Sequence, residues 1–243
     1  GLRAVLREVC DLLDPTALTV TGTPLVDGLD DATIWAPEVV RTRDNPMVAE
    51  GGIAVLRGSL APDGAVVKPA AASPHLLQHR GRAVVFDSIE DFNARVDDPD
   101  LDVDENSVLV LRGCGPKGYP GMPEVANLPL PPKLLARGVR DMVRVCDGRM
   151  SGTAYGTVVL HVAPEAAATA SRTSAMIGRR LDLDVPADEL AARRADPATV
   201  AAFANPARGW ERLYVDHVLQ ADTGADLDFL VGSSGSVVGR DSH

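Results

Sequence analysis

A hydroxyl at Ser151 and a carboxylate at Glu124 are the side chains of this sequence best placed to do chemistry. Each sits in a loop dense in Gly and Pro, GCGPKGYPGMPE (113–124) and CDGRMSGTAYG (146–156). No helix or ladder continues through such a composition, and packing alone does not call for it, because Gly costs backbone entropy and Pro removes a donor. The glycines around Ser151 let a ligand approach the backbone, and Glu124, fixed behind Pro123, offers one hard oxygen ligand. Arg149 beside the serine suits a substrate carboxylate, and equally an ordinary salt bridge. We read both loops as parts of one site.

Simpler readings stand beside these. Ser151 is also compatible with a plain turn serine, and Glu124 with a surface carboxylate, the usual fate of Glu. A hydrolase elbow, G-x-S-x-G, is not met, because Gly148 stands three residues before Ser151 and no His and acid pair can be assigned to it. Lys117 in GPKG lacks the order and the following helix of a phosphate loop. His161 falls in an apolar run, where a core or interface histidine is the better reading than a ligand.

Short β runs must position these loops. Residues 53–56, 65–67, 83–86, 108–111, 142–145 and 157–162 have the length and composition of buried strands. A turn at 61–64 makes a hairpin of the first two. Ser88, followed by an acid three residues on, opens a helix over 89–96. Residues 181–185 alternate as a half-buried strand, and Pro186 opens a helix over 187–194. Residues 168–178 are small and polar and read as a loop. At the start, Leu2, Val5, Leu6, Val9, Leu12 and Leu13 recur at helical spacing until Asp14 and Pro15 stop them. Leu213, Val215, Val218 and Leu219 share a helical face near the end. The acidic run 97–105 lacks the glycine and closing acid of a calcium loop and reads as a solvated turn. A β-rich body with flanking helices follows, over about 51–243, with 1–50 a connector or the tail of another domain.

With 243 residues, a net charge of −10 and no basic stripe, the chain is not expected to bind nucleic acid. No apolar run approaches the ~20 residues of a membrane span, and no secretory leader opens the sequence. A cytoplasmic protein without a membrane partner is therefore expected. Cys10, Cys114 and Cys146 have no cluster or zinc spacing and read as buried free thiols.

Three runs, GGIAVLRGSLAPDGAVVK (51–68), GPKGYPGMPE (115–124) and DGRMSGTAYGTVVLHVAPEAA (147–167), resemble the C-terminal half of the dihydroxy-acid and sugar-acid dehydratase family. The resemblance runs over 1–167 and resumes over 179–243. It implies an α+β, β-rich fold, a swivelling β/β/α barrel-like domain with flanking helices. It implies Ser151 as the base that removes the C2 proton of a 2,3-dihydroxy acid, Glu124 as a Mg2+ ligand, and Arg149, Thr153 and His243 as substrate-binding residues. A 2Fe–2S or 4Fe–4S iron-sulfur cluster, acting as Lewis acid, belongs to the family; its cysteines and the other Mg2+ ligands are expected in an N-terminal cluster-binding domain outside this chain. Homo-oligomers and a sugar-acid substrate, of the arabinonate, xylonate or gluconate kind, are implied too. The alternatives are the branched-chain dihydroxy acid as substrate, a non-catalytic ligand-binding domain of the same fold, and a serine hydrolase.

Overall fold

The computed structural model describes residues 1–49, 51–165, 173–177, 180–183, 186–194 and 206–231. The chain divides into two compact units, 1–51 and 52–243. In the first, helix α1 (Leu2–Glu8) is followed by a 3-10 turn, Cys10–Leu12. The expected single helix therefore breaks before Asp14, and Leu2 and Val5 are exposed. Arg3 binds the Gly28 carbonyl and Asp31, and Arg43 pairs with Asp11 at 2.6 Å. Within this unit Ala4, Leu29 and Ala32 are buried.

The second unit is a mixed α/β body around eight strands: β1 (Ala54–Leu56), β2 (Gly64–Val67), β3 (Gln78–Phe86), β4 (Val108–Leu111), β5 (Arg144–Cys146), β6 (Val158–Ala163), β7 (Thr173–Ile177) and β8 (Arg180–Leu183). Their order is β1-β2-β6-β5-β4-β3-β7-β8. Strands β3, β4, β5 and β6 run parallel, with antiparallel pairs on either side. Beyond β1, the Leu60 N–H donates to the Leu181 carbonyl in β8 and the Leu181 N–H to the Arg57 carbonyl, each at 3.1 Å.

Apolar residues alternate across the parallel strands because successive side chains point to opposite faces. In β4, Val108 and Val110 join a core with Val145, Val159 and Leu181, while Leu109 and Leu111 join another with Phe86, Phe92 and Leu134. Full burial of such side chains contributes about 1.5–3 kcal/mol each. Helix α2 (Ile89–Arg95) starts as expected, the Ser88 hydroxyl accepting the Asp91 N–H at 3.1 Å, and buries Phe92 edge-to-face on Phe86. Helices α3 (Pro132–Ala136), α4 (Ala187–Arg194) and α5 (Trp210–His217) complete the described α-helices; α5 buries none of its own residues, and Val218 just beyond it is buried.

Two expectations are corrected. The strand expected at 142–145 is Arg144–Cys146 instead, with the Met142 N–H turned to the Asp141 carboxylate at 2.9 Å and the Val143 carbonyl still accepting the Leu109 N–H. Within the expected loop 168–178, residues Thr173–Ile177 form β7. Strand β3 is long enough to pair β4 through Ala83–Phe86 and leave Gln78–Arg82 for β7, so ladder hydrogen bonds, which local composition does not report, decide that strand. The rest of that loop and the tail from residue 232 lie outside the described residues. The acidic run is a set of turns, Asp98 and Asp104 accepting the N–H groups of Asp100 and Asn106.

Candidate active site

Strands β4 and β5 are parallel neighbours in register, Leu111 beside Cys146, so the loops that follow both leave the same edge of the sheet. The carboxyl end of parallel strands is where open α/β sheets place ligands. Two buried carboxylates shape the first loop. Asp147, fully buried, accepts the N–H groups of Gly113 and Cys114, each at 2.8 Å. Glu165, 5 % exposed, accepts those of Lys117 and Gly118 at 2.7 and 2.8 Å, and is itself held by the Gln220 amide. Gly115 is required here, since a Cβ on it would lie 2.6 Å from Glu165 Oε2.

The loops then join. The Ala126 N–H donates to the Arg149 carbonyl at 3.0 Å, Arg149 Nε to the Met122 carbonyl at 2.6 Å, and Arg149 Nη1 meets Glu124 Oε1 at 3.4 Å. Both partners of that ion pair are half-exposed, so it contributes at most about 1 kcal/mol. Two residues on, Ser151 Oγ lies 3.1 Å from Thr153 Oγ1, on an exposed turn closed by the Ala154 N–H to the Ser151 carbonyl. Glu124, Arg149, Ser151 and Thr153 thus lie on two loops tied together through Arg149, with Ser151 and Glu124 both open to solvent. His243 is outside the described residues.

His161 lies in β6 with its N–H on the Gly148 carbonyl at 3.1 Å and a φ of 52°. Burial, and then the nearby Arg149 charge, push its pKa below the ordinary 6.5. Above 6.5 it is neutral folded and unfolded; below, the unfolded chain takes up the proton first. Its contribution to stability is therefore present above 6.5 and lost as pH falls through the folded pKa. Urea unfolding from about pH 8 to 5 should show the wild type losing more stability than His161→Asn, a side chain that tolerates positive φ; parallel pH profiles would contradict this.

Cys114 and Cys146 are buried free thiols as expected, whereas Cys10 is exposed. Burial, then Cys114 and Asp147, push the Cys146 thiol well up, away from the thiolate that ligates metals. Among the described residues no group of three or more His, Cys, Asp or Glu could hold a metal ion. The chain's own cysteines therefore do not fit an iron-sulfur cluster, while Glu124 offers one carboxylate open to solvent.

Sequence reasoning missed Asp147, Glu165, Gln220, and a further pair, Asp141 and Arg144, that holds the end of the serine loop. Arg144 Nη2 binds the Tyr155 carbonyl and Asp141 the Thr157 N–H. The one signal available was an acid at the end of an apolar run, directly after it at Asp147 and one proline later at Glu165.

Residues 38–225 match the family model described as the dihydroxy-acid/6-phosphogluconate dehydratase C-terminal domain. The chain belongs to that dehydratase family. It is 53 % identical to the L-arabonate dehydratase of Azospirillum brasilense over all of this chain and 44 % of that protein. It is 46 % identical to the 6-deoxy-6-sulfo-D-gluconate dehydratase of Pseudomonas putida, over 95 % of this chain and 42 % of that protein. To the dihydroxy-acid dehydratase of Methanobrevibacter smithii it is 36 % identical, over 93 % of this chain and 42 % of that protein. The chain thus spans less than half the length of the dehydratases it matches. Among the described residues no helix is long and apolar enough to cross a membrane.

Proposed function

We propose that the full-length protein is an iron-sulfur, Mg2+-dependent hydro-lyase that dehydrates a sugar acid, a 2,3-dihydroxy acid, to a 2-keto-3-deoxy acid, and that this chain supplies its base. The observation that carries the reading is the meeting, at the carboxyl edge of β4 and β5, of the exposed Ser151–Thr153 hydroxyl pair with the loop of Glu124, joined through Arg149. The relatives point the same way: identity is 53 % to the arabonate dehydratase against 36–43 % to dihydroxy-acid dehydratases.

In this reading Ser151 Oγ, as the alkoxide, takes the proton from C2, the C3–O bond breaks, and the leaving hydroxide becomes water with the proton that Ser151 then gives up, which restores the alkoxide. The enol left behind tautomerises to the 2-keto acid. When bound, the cluster supplies Lewis acidity at the 3-hydroxyl and Mg2+ supplies a positive anchor for the carboxylate and 2-hydroxyl. Glu124 would provide one ligand of the octahedral shell Mg2+ demands; the remaining ligands and the cluster cysteines come from outside this chain. Arg149 Nη1 can exchange Glu124 for a substrate carboxylate, since that contact is long and half-exposed, while Nε keeps the Met122 carbonyl. The hydrogen bonds between Leu181 and residues 57–60 support a sheet closed into the barrel-like domain of this family. Assembly as a homo-oligomer rests on the family resemblance.

The test is a panel of aldonic acids and a branched-chain 2,3-dihydroxy acid given to the purified full-length protein, with 2-keto acid formation followed and iron and sulfide measured. Keto acid from an aldonate is the expected result. Turnover of the branched-chain acid alone would move the protein to that substrate class. Turnover of neither by a cluster-loaded protein would leave a binding domain.

A further inference from the structure

Strands β5 and β6 are parallel neighbours, so residues 147–157 must travel back along the sheet from the end of one strand to the start of the next. Their upstream half is held by Ala126 and Met122, as described above. The downstream half is held by the segment that follows β2. Strand β2 is antiparallel to β6, with Val67 beside Val159, which places Lys68 next to the start of β6. Lys68 Nζ donates to the Gly152 carbonyl at 2.8 Å, and three residues on the Ala71 carbonyl accepts the Gly156 N–H at 2.9 Å. The Ser73 N–H then reaches Thr157 Oγ1 and Asp141.

Between Arg149 and Tyr155 the other hydrogen bonds of the serine turn stay within it: Ser151 to Thr153, and Ala154 to Ser151. Among the described residues, the lysine bond is thus the tie that fixes residues 151–153 to another element. It is also a cation spent on a neutral acceptor, for among the described residues no carboxylate pairs with Lys68. Its charge is therefore left for whatever negative charge develops beside Gly152. A serine hydroxyl is a poor base unless its alkoxide is stabilised, and an ammonium held on the carbonyl of the next residue brings a positive charge to the same turn.

We propose that Lys68 is a positioning residue for Ser151: it clamps the serine turn through the Gly152 carbonyl and stabilises the alkoxide by its charge. This rests on the dehydration reading for its kinetic arm and not for its structural arm.

The test compares Lys68→Met, Lys68→Ala and Lys68→Arg with the wild type in the full-length protein. In Lys68→Met, kcat is expected to fall about 10²-fold, the cost of removing one preorganised electrostatic contact, with KM little changed. Lys68→Arg should recover much of the loss, and added ethylammonium should restore part of the activity of Lys68→Ala, which a purely mechanical clamp would not allow. By hydrogen exchange, the amides of 152–154 should exchange roughly fivefold faster in Lys68→Met, the factor that loss of one net hydrogen bond implies, with the strand amides unchanged. Wild-type activity with an undiminished kcat in Lys68→Met, or a raised KM with kcat intact, overturns the proposal. Should the wild type dehydrate no acid at all, the dehydration reading fails and hydrogen exchange decides the clamp: unchanged exchange at 152–154 removes Lys68 as well.

Discussion

Replacing Ser151 with alanine in the full-length protein is expected to abolish turnover while leaving the fold intact. A general base contributes about 10²–10⁴-fold, and a hydroxyl that must act as alkoxide has no substitute in a methyl group. The structural cost is small because the turn is exposed and the hydroxyl meets only its neighbour Thr153, so water can replace what is lost. The thermal midpoint should match that of the wild type, and kcat should fall with KM largely kept. Near-normal turnover would remove Ser151 from the mechanism. A fluorophosphonate probe should leave the wild type unlabelled, since among the described residues Ser151 Oγ has no histidine partner; labelling would favour a serine hydrolase.

The largest loss of stability is expected from Asp141→Ala. The Asp141 carboxylate accepts N–H bonds from Met142 and Thr157, the Thr157 hydroxyl at 2.7 Å and the Ser73 N–H at 3.2 Å, and pairs with Arg144 at 3.2 Å. The two side chains are 4 % and 7 % exposed. Alanine leaves the guanidinium charge buried without its partner, which costs about 3–5 kcal/mol. Burial pushes the Asp141 pKa up, but the hydrogen bonds from Thr157 and Ser73 outweigh it and hold the carboxyl below its ordinary 3.8. Its contribution is therefore complete above 3.8 and lost as pH falls through the lower folded value. Urea unfolding near neutral pH measures the loss, and a change under about 1 kcal/mol, the size of an average substitution, would mean that the network is dispensable. The function should follow, because this pair anchors Tyr155 and Thr157 at the end of the serine loop. Gly156, with a φ of +112°, lies against the Arg144 guanidinium, so any side chain there would push the same network apart.

Much of the frame was legible in the residues alone. The run Val108–Leu111 is a strand with the bounds expected of it, and Ser88 caps the helix it was expected to cap. Both follow from local chemistry: an apolar run too short for a helix, and a hydroxyl one turn before an acid. Strand β7 was not legible, because its stability comes from the spare half of β3, which lies about 90 residues earlier and which no local window includes.

The two glycine-rich loops, the hydroxyl and carboxylate they carry and their family are written in the order of the residues, because loop composition and motif spacing are local properties. What holds those loops is not. Asp147 on the first loop, Glu165 answered by Gln220, Asp141 on Ser73 and Thr157, and Lys68 on the serine turn all bridge elements that meet only once the strands have paired. A carboxylate or ammonium looks alike in a sequence whether it faces water or a buried N–H. Strand order decides which neighbours surround it, and with them whether it solvates a surface or holds a site in place.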